Sequence, residues 1–401
     1  MKKVLLILIV LCLLAGCAPA ASPSPSASPV QTAAPSAPSA QPTAAPEETP
    51  AAADPMAVVG QMELLYAEQF NVDYLACGGA LISVGTEDRF LLLPEGTAAP
   101  ETLDAGVVVL RQPLTTIYNA ASSAMDFFVQ LDAMSQVRFT STTYKNWGLP
   151  EVRDALDAGT LVYAGKYSAP DFELLLGEKT SLAIESTMIY HSPDIKEKLE
   201  NLGIPVLVER SSYEPHPLGR VEWIKLYGLL LGKEAEAEAF YADQLEQVAQ
   251  LEDIPAGELT VAYFHISTAR SVVVRKPGDY LCKMIQLAGG KYIFDELPGQ
   301  DDSSLSTMNM DMEAFYAGAK DADVLIYNST IDGELNTLDQ LLEKSELLAD
   351  FNAVKSGNVW CSEHDLFQKS SAAAVMIREL NRILSGDAAG EDQLEFFHRL
   401  K

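Results

Sequence analysis

The sequence predicts an α/β protein: two lobes with mostly parallel sheets, joined by one long α-helix. Three observations predict it. The chain has 401 residues, 48% of them hydrophobic, which is enough for two domains of about 100–200 residues each. Two blocks of sequence alternate short apolar runs with helix-period stretches, the pattern of strand–helix–strand units and a parallel sheet. Between the blocks, Pro217 to Gln250 reads as one helix of about 33 residues, spanning about 50 Å.

The elements follow in chain order. Residues 1–16 read as a leader. Met1-Lys2-Lys3 is a basic head, and Val4 to Leu14 is an apolar stretch too short to span a bilayer. Leu14-Ala15-Gly16-Cys17 resembles the bacterial lipobox, which makes the thiol of Cys17 the lipidation site and tethers the body to the outer face of the cytoplasmic membrane. Residues 17–55 form a Pro/Ala/Ser-rich tether. Positions 18–55 carry 10 of the chain's 22 prolines and no large apolar side chain except Val30, so nothing offsets the entropy of ordering them. Residues 56–104 read as an N-terminal extension with a β-hairpin, Tyr74 to Val84 and Arg89 to Leu93 around Gly85-Thr86-Glu87-Asp88.

An N-terminal lobe is expected over 105–215. Its strands are Val107 to Leu110, Val137 to Phe139, Leu161 to Tyr163, Leu182 to Ile184 and Pro205 to Val208. Helices fall at Ala120 to Leu131, from Asp171, and at Asp194 to Leu202. The connecting helix takes 216–252, with Val221, Ile224, Tyr227, Leu231 and Ala235 on one face and Glu and Lys on the other. The C-terminal lobe, 253–401, has strands at Thr260 to Phe264, Val272 to Val274, Val324 to Tyr327 and Asn358 to Trp360. Its helices fall at Tyr280 to Leu287, Met312 to Ala319, Leu335 to Leu348 and Ser371 to Leu384.

Composition narrows the function. The chain has 28 Lys+Arg against 56 Asp+Glu, a formal net charge of −28, which opposes a nucleic-acid partner because phosphate binding needs clustered cations. Five cysteines are too few for a disulfide scaffold, and Cys77, Cys282 and Cys361 are expected as free thiols. There is no Gly-x-Ser-x-Gly elbow, no His-Glu-x-x-His helix and no phosphate-binding Gly-rich loop ending in Lys-Ser/Thr, so a surface-anchored hydrolase is the weaker class.

Four stretches in order carry a resemblance: Tyr163 to Glu173; Leu218-Gly219-Arg220 through Glu234; Gly278-Asp279-Tyr280 through Phe294; and Met310 to Glu313 leading to Ala322 through Ile326. Over residues 100–385 the chain resembles the substrate-binding lipoproteins of ABC importers for iron–siderophore complexes, haem and cobalamin, the class III periplasmic binding proteins. The resemblance implies two Rossmann-like lobes and a ligand held between them. It implies a non-enzymatic monomer without a cofactor that delivers a metal chelate to permease subunits. It places the permease-docking carboxylates at Glu173 and Glu313.

Loops after the strands are the expected ligand contacts, with Arg111, Tyr118, Tyr144, Trp147, Tyr213, His216, Arg270 and His364 as candidates. Aromatic rings offer flat apolar surface, and arginines offset an anionic chelate. The alternative is a zinc or manganese importer protein. Such a site needs three or four converging donors, and no His-x-His or His-x₃-His pair occurs.

Overall fold

The computed structural model describes residues 54–251, 257–297, 307–387 and 394–401. The leader, Cys17 and nearly all of the tether lie outside the described residues. Residues 53–401 form one compact unit.

The unit opens with a small sheet. Strands β1 (Val58–Gln61), β2 (Phe70–Leu75), β3 (Ala80–Val84) and β4 (Asp88–Leu93) make an antiparallel meander, and β5 (Val107–Arg111) lies parallel to β4. Two expectations change here. The run expected as one strand from Tyr74 to Val84 is split by a turn at Gly78, whose φ of +79° suits glycine. Val107 to Leu110 belongs to this sheet and not to the lobe that follows, because the five residues Val107 to Arg111 pair with Arg89 through Leu93. The extension therefore runs to Arg111. One face, with Val72, Ile82 and Phe90, joins the main core; the other, with Leu75, Leu91 and Leu93, packs under Leu103 and Val109.

The first lobe contains, in order, β6 (Ile117–Asn119), α1 (Met125–Gln130), β7 (Val137–Thr140), α2 (Pro150–Asp157) and β8 (Val162–Tyr163). A hairpin of β9 (Gly165–Lys166) and β10 (Ala169–Pro170) follows, then α3 (Phe172–Gly177), β11 (Leu182–Ser186), α4 (Pro193–Asn201) and β12 (Val206–Glu209). Five strands are parallel in the order β12-β11-β6-β7-β8. They are mostly apolar because both faces are covered: Leu182 and Ile184 face the main core, while Ala183 faces Tyr118, Phe139 and Val208. The strand order reverses between β6 and β11, where open α/β sheets hold ligands outside the strand carboxyl ends.

The single connecting helix is not what forms. Helix α5 (Pro217–Leu231) ends at Gly232, which has φ +69°, and the amide of Lys233 donates to the Gly228 carbonyl at 2.7 Å. Helix α6 (Glu234–Ala249) folds back along α5, so that Lys225 Nζ lies 4.7 Å from the centre of the Tyr241 ring. Glycine after a last helical turn takes the left-handed backbone at little cost and stops the helix. The face expected to carry Glu and Lys is not open to solvent along α5. Every residue of α5 is buried, including Arg220, Glu222 and Lys225, because both lobes, α6 and the extension all pack on it.

The second lobe runs β13 (Thr260–Ile266), β14 (Val272–Arg275), α7 (Tyr280–Leu287), β15 (Lys291–Tyr292), β16 (Thr307–Met310), α8 (Met312–Ala319), β17 (Val324–Tyr327), α9 (Leu338–Lys344), α10 (Asn352–Ser356), β18 (Val359–Ser362), α11 (Ala373–Ser385) and β19 (Phe397–Arg399). Strands β15, β13, β17 and β18 are parallel. Strands β14 and β16 extend the sheet antiparallel on one side and β19 on the other. Cys282 and Cys361 are buried and Cys77 is half-buried, all three as free thiols.

Candidate ligand cleft

The lobes face each other through the carboxyl-end loops of their strands. From the second lobe, Gln368 accepts from the amide of Gly148 at 2.8 Å and donates to the Asn146 carbonyl at 2.7 Å. Ser370 Oγ donates to the Ser123 carbonyl at 2.9 Å, and the Ser371 amide donates to Asp126 Oδ2 at 2.7 Å. Gly148 is required here, since a Cβ would overlap the Asp365 carboxylate. Arg220, in the first turn of α5, ties that helix to the second-lobe side of the cleft. Its guanidinium donates to the Phe367 carbonyl at 3.0 Å and to Ser370 Oγ at 2.9 Å, and lies 4.6 Å from the Tyr280 ring centre. Burial pushes the Asp126 and Glu209 carboxyls up, while hydrogen bonds and the Arg220 charge pull them back.

The expected contact residues scatter. Trp147 has no exposed surface, and its Nε1 donates to the Thr142 carbonyl at 3.1 Å; it packs in the core and offers no ring face to a ligand. Tyr118 is likewise fully buried beneath the first-lobe sheet. Arg111 sits on the extension, where its guanidinium holds the Thr97 carbonyl at 2.8 Å, so it is not on a lobe loop. Tyr144 is exposed, with its hydroxyl 3.2 Å from Asp157. Tyr213 bonds Thr187 at 3.2 Å beneath the Arg210 guanidinium. Arg270 is exposed at the β13–β14 hairpin tip with φ +62°, beside a cavity of about 330 Å³ lined with Ser267, Asp332 and Lys344. His364 Nδ1 lies 3.2 Å from the Ser329 carbonyl. Among the described residues no three His, Cys, Asp or Glu side chains converge to hold a metal ion.

His216 meets the extension from the start of α5. It caps α5, with Nδ1 accepting from the Leu218 amide at 3.1 Å, and it stacks on Tyr66 at 4.2 Å between ring centres. Burial, with the Lys283 charge, pushes its pKa down to about 4. The Tyr66 loop is held by two buried carboxylates. Glu222 accepts from the amides of Leu65, Tyr66 and Ala67, and Glu214 from those of Glu68 and Gln69 and from Trp223 Nε1. Lys225 neutralises Glu222 at 3.3 Å and donates to the Glu63 carbonyl. Sequence reasoning missed this clamp because it read Glu222 only as part of the charged face of a helix and Glu214 only as part of a loop.

It also missed a polar cluster at the strand switch point. Glu185 is fully buried, neither of its carboxyl oxygens finds a partner among the described residues, and burial raises its pKa to about 8. Burial, with the Glu185 carboxyl, also holds the nearby Tyr118 hydroxyl far above its ordinary pKa range. The one available signal was a lone acid inside the apolar run Leu182-Ala183-Ile184-Glu185.

The exposed carboxylates Glu173 and Glu313 occupy matching places. Each is the second residue of a helix, α3 or α8, behind an aspartate cap: Asp171 accepts from the Leu174 amide at 3.0 Å and Asp311 from the Ala314 amide at 2.7 Å.

Comparisons with known proteins agree with this architecture. An uncharacterized lipoprotein of Methanocaldococcus jannaschii is 25% identical over 362 residues, covering 87% of this chain and 90% of its own. A second lipoprotein of that organism is 25% identical over 363 residues, covering 83% and 84%. That 87% share of a 401-residue chain must reach back to residue 53 or earlier, so it takes in the β1–β5 sheet. Solved structures show the fold. The periplasmic heme-binding protein of Vibrio cholerae matches with TM-score 0.54 at 19% identity, covering 66% of this chain and 98% of its own. An ABC-type Fe³⁺-hydroxamate transport protein from Saccharomonospora viridis matches with TM-score 0.52 at 16% identity, covering 69% and 94%. About a third of this chain is therefore additional to them. Residues 125–362, more than half of the chain, match the periplasmic binding protein family, and the protein belongs to it.

Proposed function

We propose that this protein is the solute-binding lipoprotein of an ABC importer, anchored through Cys17 outside the cytoplasm. It captures an iron chelate (siderophore or haem) or cobalamin between its lobes and does no chemistry on it. The observation that carries this reading is the meeting of the carboxyl-end loops of β6 and β7 with the loop after β18, which puts the ligand-holding edges of two α/β sheets face to face. The lipoprotein names of the archaeal relatives support the anchor, and the heme- and hydroxamate-related structures support the ligand class. Glu173 and Glu313 are the docking groups. Exposed anions on both lobes steer a partner's arginines and fix its orientation.

The test has two arms. The chain is melted with ferric catecholate and hydroxamate siderophores, haemin, cobalamin, Zn²⁺ and Mn²⁺. A true ligand at 100 times its Kd adds about 2.7 kcal/mol of stability. A response to none of the chelates removes the reading. In cells, Glu173→Arg with Glu313→Arg is expected to abolish uptake while ligand binding stays intact. Undiminished uptake would show that docking lies elsewhere.

A further inference from the structure

A cavity of about 400 Å³ lies where three segments meet, lined by Leu65, Tyr66, Ala67 and Glu68 of the extension, Pro215 and His216 at the start of α5, and Lys283 of α7 in the second lobe. Its polar chemistry is dominated by donors. Lys283 has no ion-pair partner among the described residues. His216 Nδ1 is occupied by a backbone amide, so the neutral ring carries its proton on Nε2. Tyr66 and His216 are stacked with only 19° between their planes. Each therefore covers one face of the other, and the pair contributes the His216 Nε2–H and the Tyr66 O–H as donors. Glu68 is the one acid in the lining, and it is exposed at the rim.

The cavity wall is also preorganised. Five consecutive amides, Leu65 to Gln69, are taken up by Glu222 and Glu214. The loop lies so close on α5 that a Cβ at Gly219 would come within 2.7 Å of the Tyr66 carbonyl oxygen. A loop held this way loses little freedom on binding, which favours affinity.

We propose that the extension completes the ligand site: Tyr66, His216 and Lys283 form a donor-lined subsite for an anionic arm, a carboxylate or catecholate oxygen, of the chelate held between the lobes. The proposal rests on the importer reading above. The extension then takes part in choosing the ligand.

The experiment measures binding to the full chain in detergent. Haemin and a ferric tricatecholate are the probes that carry anionic arms. Haem dimethyl ester and a ferric hydroxamate without anionic arms are the controls. Lys283→Gln and Tyr66→Phe are compared with the parent, and melting curves verify that each variant folds. Lys283→Gln is expected to weaken an anionic probe roughly tenfold or more, as loss of a hydrogen bond to a charged group does, and Tyr66→Phe to weaken it less. The controls should bind all three proteins alike. Equal binding of the anionic probe by all three overturns the subsite and leaves the importer reading standing, as does binding confined to the arm-free probes. Citrate alone, bound as tightly as the chelate and with the same loss in Lys283→Gln, overturns the chelate arm in favour of a free carboxylate. Failure of every chelate to bind the parent removes both the reading and the subsite.

Discussion

Glu185 gives the stability of the first lobe a pH dependence of unusual sign. Its carboxyl is buried without a hydrogen-bond partner among the described residues, and its pKa is raised to about 8. Below the ordinary carboxylate range, folded and unfolded chains both hold the proton and Glu185 adds no dependence. As pH rises, the unfolded chain ionises first while the folded one keeps its proton, so stability falls until about pH 8 and then levels. Glu185→Gln should remove that slope, so that urea midpoints of parent and variant diverge between pH 5 and pH 8, with the parent dropping. Parallel midpoints would mean that the carboxyl reaches water. The sequence made Glu185 visible only as an odd letter in an apolar run. Trp147 was visible but misplaced: a large ring in a strand-end loop suits a cleft wall or a core plug equally well, and only the packing around it decides.

At the scale of elements, most of the α/β pattern could be read because parallel strands buried on both faces leave continuous apolar runs, as in Leu182 to Ile184 and Val324 to Tyr327. Strands β16 and β19 went unforeseen because they are partly exposed sheet edges whose short mixed sequences carry no run. Strands β1, β6, β9, β10 and β15 went unforeseen because each is only two to four residues long, and this includes β6, which is buried in the middle of the first-lobe sheet. The connecting helix failed at one residue. Helical periodicity continues across Gly232, but the backbone does not. A Cβ at Gly232 would touch nothing within 4 Å, so Gly232→Ala tests the backbone alone. At φ +69° alanine should destabilise the protein by about 1 kcal/mol or more. Within one continuous helix the same change would stabilise by about 1 kcal/mol. The sign of the shift in a urea titration decides between the two.

At the scale of the molecule, the lobes are latched by the loop after β18, and Gly148 makes the latch possible. Gly148→Ala should force Asp365 and Gln368 away and cost the Gln368 pair of hydrogen bonds, about 1–3 kcal/mol. Small-angle scattering of the variant should show a more open particle, whereas an unchanged profile with unchanged stability would mean that the loop absorbs the methyl group. None of this was open to sequence reasoning, since Gly148 and Gln368 lie 220 residues apart.

The carboxylate clamp on the extension has a consequence in time. Leu65 to Ala67 find their acceptor at Glu222, 155 to 157 residues further along the chain. At synthesis rates of about 5–20 residues per second, that partner appears on the order of 10–30 s later. The meander β1–β4 can pair at once from neighbouring residues, but the turn bearing Tyr66 must wait, solvated, until α5 emerges. The first segment of the body to leave the ribosome is thus among the last to be finished, and its subsite cannot exist before both lobes have chain on either side of it.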